Sequence, residues 1–194
     1  MQNLFKYKKS DIWKTFAEEV NGKFIKGVGW HSDRTEITHD EFKIIFDNYT
    51  IWSVDYSHIM TRVISPIIIK DGFRFQIYRK TFVASLKKIF GSQDICIGWP
   101  EFDKNFIVKS NDVTKVSTLF QSREIRDLVL SQKNLNLEIS DQKGVFEEKL
   151  PDGHFELSFY ADGALEDLEQ LKNLLLLFKI MIDRLVEIKA IYTT

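Results

Sequence analysis

The C-terminal segment 164–191 is apolar around so much of its circumference that it limits how the rest of the chain can fold. Leu168, Leu171, Leu175, Phe178, Ile182 and Leu185 form one stripe at helical spacing, and Leu174, Leu177, Met181 and Ile188 form a second beside it. A helix that rests on one flat surface buries a single stripe. The pattern therefore predicts a helix wrapped by a curved sheet or by other helices, or one whose second stripe is covered by a second copy. A monomer and a homodimer through this helix both stay open.

The middle of the chain alternates apolar and polar residues, which is the pattern of half-buried antiparallel strands. In the segment 42–46 every second residue is apolar, Asp47-Asn48 is typical of a turn, and residues 49–54 would form the return strand. Residues 63–69 and 73–78 are joined by Lys70-Asp71-Gly72. Asp-Gly suits the positive backbone angles of a tight hairpin turn, so we expect these two segments to pair.

Helix signals lie on both sides of these strands. Ser10 is a candidate N-cap of a helix that Asn21-Gly22 would end, and residues 82–90 carry an apolar helical face. Asp112 and Ser122 are candidate N-caps of two short helices. With two further strands at 135–139 and 155–159, the sequence predicts one globular α+β domain over residues 1–194. We expect an antiparallel sheet built from hairpins, an N-terminal helix, short middle helices and a long C-terminal helix packed on the sheet.

Composition narrows the class of protein. The 194 residues are 44% hydrophobic and 28% charged, which is ordinary for a globular domain, and the net charge of −1 argues against a nucleic-acid partner. The most apolar run, 174–182, is far shorter than the roughly 20 residues that cross a bilayer. Cys96 is the single cysteine, so an intramolecular disulfide is excluded. These features predict a cytoplasmic protein without a membrane span.

No residue pattern matches a catalytic, metal or cofactor signature. His31, His39, His58 and His154 lack metal-ligand spacing, and Cys96 lies between two isoleucines in what we expect to be a buried strand. Neighbouring acidic residues diverge on a helix or a strand, so they are poor candidates for paired carboxylate chemistry. We therefore predict no catalytic residue, no metal site and no cofactor.

The polar side of the segment 73–80 is the candidate contact surface. Strand alternation predicts that Phe73, Phe75 and Ile77 face the core, whereas four polar side chains face solvent. These candidate ligand or phosphate contacts are Arg74, Gln76, Tyr78 and Lys80. Arginine, amide and aromatic groups together could grip a phosphate or stack on a base. The same pattern is equally typical of the wet face of a half-buried sheet.

Three phrases of the chain resemble a family of uncharacterised bacterial proteins. They are KDGFRFQIYRK at 70–80, GSQDICIGWPEFDKNFIVKSND at 91–112 and EDLEQLKNLLLLF at 166–178. The most specific part is of the type Phe-Asp-x-x-Phe-Ile-x-Lys-x-Asn-Asp. The resemblance covers nearly the whole chain and implies a bacterial domain of unknown function. It brings no activity, substrate or catalytic residue.

The leading hypothesis is a non-enzymatic binding or protein-interaction module of a bacterial cytoplasm, acting on a protein partner or a small molecule. One alternative is a small-molecule or lipid-binding pocket of helix-grip type, between a curved sheet and the last helix, which is a fold-level analogy. Another is an enzyme with dispersed active residues. A cavity of about 300 Å³ or more would favour the pocket. A cleft with a convergent acid, base and nucleophile would favour the enzyme.

Overall fold

The computed structural model describes residues 12–29, 31–52, 57–80, 94–133, 135–142 and 149–193, with residues 51 and 52 described by their backbone only. The strands are β1 (Lys23–Ile25), β2 (Arg34–His39), β3 (Phe42–Trp52), β4 (Ser57–Ile68), β5 (Phe75–Arg79), β6 (Phe106–Ser110), β7 (Asn136–Ser140) and β8 (His154–Asp162). They form one sheet in the order β1-β2-β3-β4-β8-β7-β5-β6. Every neighbouring pair is antiparallel.

Five helices complete the described part of the chain. They are α1 (Ile12–Glu19), α2 (Pro100–Asn105), α3 (Val113–Leu119), α4 (Arg123–Ser131) and α5 (Leu168–Glu187). The predicted α+β class, with an N-terminal helix, short middle helices and a long C-terminal helix packed on the sheet, is confirmed. Asp112 and Ser122 cap α3 and α4 as predicted, because their side chains accept the backbone N–H groups of Lys115 and Ile125. The expected cap Ser10 and the expected helix 82–90 lie outside the described residues.

One face of the sheet carries the hydrophobic core. A cross-strand row on this apolar face is at most 1% exposed and runs through Phe46, Val63, Phe159, Leu137, Ile77 and Val108. Buried residues from all five helices join the same core cluster. Aromatic rings fill much of this layer, as in the edge-to-face contact of Phe16 with Phe46, whose centroids lie 4.9 Å apart.

Helix α5 is embedded in this core along both of its apolar stripes. Leu171 and Phe178 of the first stripe and Leu177 and Met181 of the second are each 0% exposed within the single chain. Wrapping by the sheet and the other helices therefore accounts for the second stripe. The helix is shorter than predicted, because it begins at Leu168 and ends at Glu187, and the following residues turn back so that Ile191 pairs with Ile69, the residue after β4.

The predicted hairpin through Lys70-Asp71-Gly72 is wrong. Gly72 has a φ of 71°, as a turn requires, but β4 pairs with β3 and β8 whereas β5 pairs with β7 and β6. Two strands from the C-terminal half of the chain thus separate the two segments. Alternation indicates which side of a strand faces the apolar core, but it carries no information on which strand lies next to it.

The predicted turn at Asp47-Asn48 is also wrong. Both residues lie inside β3, and the chain turns earlier, at Asp40, whose φ is 50°. The segment before this turn forms β2, which pairs with β3 from Arg34 opposite Asp47 to His39 opposite Phe42. Asp and Asn favour turns, but within this sheet Arg62 of β4 pairs with the Asp47 side chain.

Candidate functional site

The face of the sheet opposite the helices is polar and nevertheless buried. We call it the polar face, and it comprises Asp47, Arg62, Gln76, Asn136, Glu138, Glu156, Ser158 and Tyr160. Arg62 is partly buried, and each of the others is at most 8% exposed. None of them belongs to the core cluster to which the five helices contribute. Buried polar groups require partners, so the hydrogen bonds here decide what the face can do.

Glu138 lies at the centre of this face, on β7. The Gln76 side-chain amide donates to Glu138 Oε2 at 3.1 Å and to Asn136 Oδ1 at 3.2 Å. Burial outweighs the Gln76 hydrogen bond and raises the pKa of Glu138 to about 7. The carboxyl therefore changes its protonation near neutral pH inside a packed set of amides.

The second group on the polar face is an ion pair between β3 and β4. Arg62 donates from Nε to Asp47 Oδ1 at 2.8 Å and from Nη2 to Asp47 Oδ2 at 2.6 Å. Burial alone would lower the pKa of Arg62, but the Asp47 carboxylate raises it above its ordinary value. Burial raises the pKa of Tyr160. The arginine also lies over the Tyr49 ring, 4.9 Å from its centroid. The two carboxylate contacts give this pair a fixed geometry.

The four candidate contact residues predicted from the sequence, Arg74, Gln76, Tyr78 and Lys80, do not form one solvent-exposed surface. Phe73, Phe75 and Ile77 face the core as predicted, but the predicted solvent exposure of Gln76 is wrong because its side chain is only 3% exposed. Arg74 is partly buried and bonds to Asp141 at 3.0 Å.

Tyr78 is also partly buried, whereas Lys80 is exposed and donates to the Asp103 carbonyl at 2.8 Å. A phosphate contact by these four residues remains a prediction. Sequence reasoning missed Glu138 and Asn136, because a polar residue at every second position looks the same whether its side of the strand is wet or buried.

Cys96 is exposed and lies outside the named strands, so the predicted buried strand position is wrong. Its Sγ is 3.1 Å from Asp103 Oδ2, and the same carboxylate accepts the N–H groups of Ile97 and Gly98 at 2.9 Å each. Although burial alone would raise it, these hydrogen bonds lower the pKa of Asp103. Asp103 thus holds the loop that precedes α2 in place.

Trp99 of this loop is covered on one side by the Arg126 guanidinium, 3.6 Å from its ring centroid.

One grouping among the described residues has the composition of a metal site. Ligand atoms of His39, Asp40 and Asp183 lie within 4.8 Å of one another. His39 Nε2 is already 2.7 Å from Asp183 Oδ1, which ties the β2–β3 turn to α5. Both carboxylates are exposed, and the His39–Asp183 contact has a structural role at the turn. The predicted absence of a metal site stays a prediction.

A cavity of about 390 Å³ lies where β4 ends and β8 begins. Its residues are Glu41, Phe42, Pro66, Ile67, Ile68, Leu150, Pro151, His154, Phe155, Glu156 and Tyr192. We call it the β4–β8 cavity, since its lining includes Pro66, Ile67 and Ile68 of β4 together with their antiparallel partners Glu156, Phe155 and His154 of β8. The helix-grip hypothesis expected a pocket behind the last helix. Instead the cavity lies at the end of the strands, and Tyr192, which follows α5, is part of its lining.

A second hollow of about 450 Å³ lies between α4 and α5. It is lined by Arg123, Glu124, Asp127, Leu128, Ser131 and Leu176. Charged and exposed side chains form most of this wall, and Arg123 is already paired with Asp127 at 3.4 Å. This hollow is a solvated groove, so the β4–β8 cavity is the better candidate for an apolar ligand.

No helix in the described part of the chain combines the length and the hydropathy that crossing a bilayer demands. No family model matches the sequence, and no curated protein matches it. The fold is similar to the crystal structure of the mycobacterial trehalose monomycolate transport factor A, TtfA, with a TM-score of 0.54. The alignment covers 91% of this chain and 96% of that one at 10% sequence identity. At this identity the likeness shows a shared fold.

Proposed function

We propose that this protein is a non-enzymatic binding protein that holds a small apolar or amphipathic molecule in the β4–β8 cavity. The observation that carries the proposal is the lining of the cavity, in which seven of the eleven lining residues that the structure describes are aliphatic, proline or phenylalanine. Its volume of about 390 Å³ lies within the range of roughly 300–1,000 Å³ typical of small-molecule sites. A few polar groups among apolar walls is the usual composition of such sites.

Part of the cavity wall belongs to the packed core. Its floor includes Phe42 and Phe155, each 7% exposed, and Ile67, which is 3% exposed and belongs to the core cluster. Its rim includes Ile68 and Tyr192, which are 37% and 48% exposed. The Tyr192 N–H group donates to the Ile68 carbonyl at 3.0 Å, so the rim is tied to β4. A preformed site loses little conformational entropy on binding.

Other observations support binding over catalysis. Glu138 has a pKa that suits acid–base chemistry, but its carboxyl group accepts a hydrogen bond from Gln76 in a packed amide network. It is not among the residues that line the cavity. The similar solved structure is that of a transport factor, which agrees with a carrier role. A bacterial cytoplasmic location is part of the proposal, and the exposed free thiol of Cys96 supports a reducing compartment.

The test is a titration with Nile red, an uncharged dye whose fluorescence rises in apolar surroundings. The wild-type chain is expected to bind it saturably. Ile68→Glu places a carboxylate on the cavity rim and is expected to weaken binding by about tenfold or more, since a charge in an apolar site must be desolvated. Ile68 is partly exposed, so the melting temperature should stay unchanged.

Ile59→Glu is the matched control. Ile59 belongs to the same strand, is 47% exposed and does not line the cavity. It should bind the dye as the wild type does. The proposal is wrong if the wild type shows no saturable binding, or if both variants bind equally well.

A further inference from the structure

We infer that His39, Asp40 and Asp183 together bind a divalent transition-metal ion such as Zn²⁺, which would join the β2–β3 turn to α5. The inference does not depend on the proposed function, because none of these three residues lines the β4–β8 cavity. It runs against the prediction from the sequence, which rested on the spacing of ligands along the chain. Asp183 is 144 positions from His39, so a group of this kind leaves no sequence motif.

The first argument is the set of donor atoms. The group offers one imidazole nitrogen and two carboxylate oxygens, and these ligand atoms all lie within 4.8 Å of one another. Zn²⁺ is bound in proteins by histidine nitrogen and by aspartate oxygen. The nitrogen distinguishes the group from a cluster of carboxylates, because Ca²⁺ and Mg²⁺ prefer oxygen ligands whereas imidazole suits Zn²⁺, Cu²⁺ and Ni²⁺. The expected ion is therefore a transition metal.

The second argument is the spacing of the donor atoms. His39 Nε2 is 2.7 Å from Asp183 Oδ1. Metal–ligand distances of about 2.0–2.2 Å place two ligands that meet at a right angle about 3 Å apart. Two of the three donor atoms are thus already close to ligand spacing, and a cation would replace the hydrogen atom between them. Asp40 is exposed, so a rotation of its side chain can bring the third donor to the same ion.

The third argument is that the backbone of all three residues is held by the core. His39 is the last residue of β2 and lies opposite Phe42 of β3, which is 7% exposed. Asp183 follows Ile182 on α5, and Ile182 is 1% exposed. Ligands on anchored elements lose little conformational freedom when an ion binds, so they favour binding more than ligands on a mobile loop do.

The fourth argument is that the two carboxylates are not taken up by lysine or arginine. Lys43 and Arg184, which are close to the group along the chain, are each paired with a glutamate instead. Lys179 lies one turn before Asp183 on α5, and no ion pair joins the two. Among the described residues, Asp40 takes part in no ion pair. Direct ligation of an ion is therefore open to both aspartates.

The experiment is a calorimetric titration of the untagged, chelator-treated chain with ZnCl₂ at neutral pH. We expect one equivalent of Zn²⁺ to bind saturably. The ion should also raise the melting temperature, because a ligand that binds the folded chain stabilises it. MgCl₂ at the same concentration should do neither, since the imidazole nitrogen is a poor ligand for Mg²⁺.

Two variants assign the binding to this group. Asp40→Asn keeps the fold, because asparagine tolerates the φ of 50° at this position. Asp183→Asn keeps an oxygen that can still contact His39. Each variant removes one carboxylate ligand and should weaken Zn²⁺ binding by about tenfold or more.

Asp162→Asn is the matched control. Asp162 Oδ1 lies 2.5 Å from His58 Nε2, so this pair repeats the contact between a histidine and an aspartate. The described residues provide no third ligand there, since His39, Asp40 and Asp183 are the one group of three found among them. The control variant should bind Zn²⁺ with the affinity of the wild type.

Four results would overturn the inference. They are the absence of saturable Zn²⁺ binding, unchanged binding in both Asp40→Asn and Asp183→Asn, a loss in Asp162→Asn as large as theirs, and Mg²⁺ binding as tight as that of Zn²⁺. The last result would show a site that attracts cations through its carboxylates alone. None of these results affects the binding of Nile red, so the inference and the proposed function fail separately.

Discussion

The two faces of the central sheet are both buried, but they are held by different forces. On the apolar face, the row from Phe46 to Val108 is at most 1% exposed and packs against five helices. On the polar face, the next row includes Ser158, Glu138 and Gln76, which are at most 8% exposed, and Gln76 is hydrogen-bonded to Glu138. The apolar face is stabilised by the apolar surface that it removes from water. The polar face costs no desolvation free energy only while each buried polar group keeps its hydrogen-bond partner.

This difference predicts how each face responds to substitution. An apolar face tolerates changes of shape but not of polarity, because its stabilisation is non-directional. A polar face is sensitive to the loss of one partner, since the group left behind is buried without compensation. Four substitutions test this distinction, two on each face.

The largest effect is expected for Leu177→Glu on α5. Leu177 is 0% exposed against the apolar face, and an unpaired carboxylate there should abolish the cooperative thermal melt. Leu176→Glu is the control, because the adjacent Leu176 is 42% exposed and should leave the melt unchanged. A folded Leu177→Glu protein that elutes as a smaller species in sizing chromatography would show instead that this stripe forms a contact between copies.

The next largest effect is expected for Arg62→Ala on the polar face. Removing the arginine leaves Asp47, which is 8% exposed, without its two donors, and should lower the free energy of unfolding by about 3–5 kcal/mol. Chemical denaturation of the two single variants and the double variant with Asp47→Ala measures the coupling. The double variant should lose less than the sum of the single variants.

An exposed ion pair on α4 is the control for the buried pair of Arg62 and Asp47. Arg123 and Asp127 are 3.4 Å apart on α4, with side chains that are 87% and 59% exposed. Arg123→Ala should change stability by less than about 1 kcal/mol. If Arg62→Ala costs no more than Arg123→Ala, the polar face does not depend on paired charges.

A smaller, pH-dependent effect is expected for Glu138→Gln. Burial raises the pKa of Glu138 from its ordinary 4.5 to about 7, so the folded chain binds this proton more tightly than the unfolded chain does. The wild type should therefore lose stability relative to the variant as the pH rises from about 4.5 to 7, by up to about 3 kcal/mol. The amide oxygen that this substitution introduces would still accept from Gln76, so the packing is preserved.

The measurement is the difference in free energy of unfolding between wild type and Glu138→Gln across this pH range. Taking the difference cancels the titration of every other carboxyl group. Glu124→Gln, at an exposed position of α4, should give a flat difference. A flat difference for Glu138→Gln as well would mean that the carboxyl is solvated in the folded protein.

Much of the apolar face could be predicted from the sequence, because burial on one side leaves a periodic pattern. The helical spacing of α5, the caps Asp112 and Ser122, and the inward direction of Phe75 and Ile77 all follow from local rules. The strand order could not be predicted. Two strands between β4 and β5 come from far along the chain, and no local signal selects a distant partner.

The polar face and the cavity were missed for a different reason. Gln76 and Glu138 have the composition of solvent-exposed strand positions, and only the three-dimensional structure shows that they are buried. The cavity is assembled from residues near positions 41, 66, 150 and 192, which lie far apart in sequence. The expected pocket behind α5 is filled by side chains such as Leu174 and Phe178. A wide apolar helix indicates deep burial, but it does not indicate where packing leaves a gap.

The smallest effect is expected for Ser65→Ala. This variant tests whether the few polar atoms on the apolar face contribute to the stability of the protein. Ser65 is 0% exposed on β4, and among the described residues its hydroxyl has no hydrogen-bond partner. An unpaired buried hydroxyl is destabilising, so the alanine variant should be equal to the wild type or more stable by up to about 1 kcal/mol. Thr61, on the same side of the same strand, is the contrast, because its hydroxyl donates to the Gly163 carbonyl at 3.0 Å and accepts the Leu165 N–H at 2.7 Å. Thr61→Val should therefore be destabilised by about 1–3 kcal/mol. If denaturant titrations show that Ser65→Ala loses as much stability as Thr61→Val, the hydroxyl of Ser65 has a partner in solution, and the contrast between the two faces is weaker than the structure indicates.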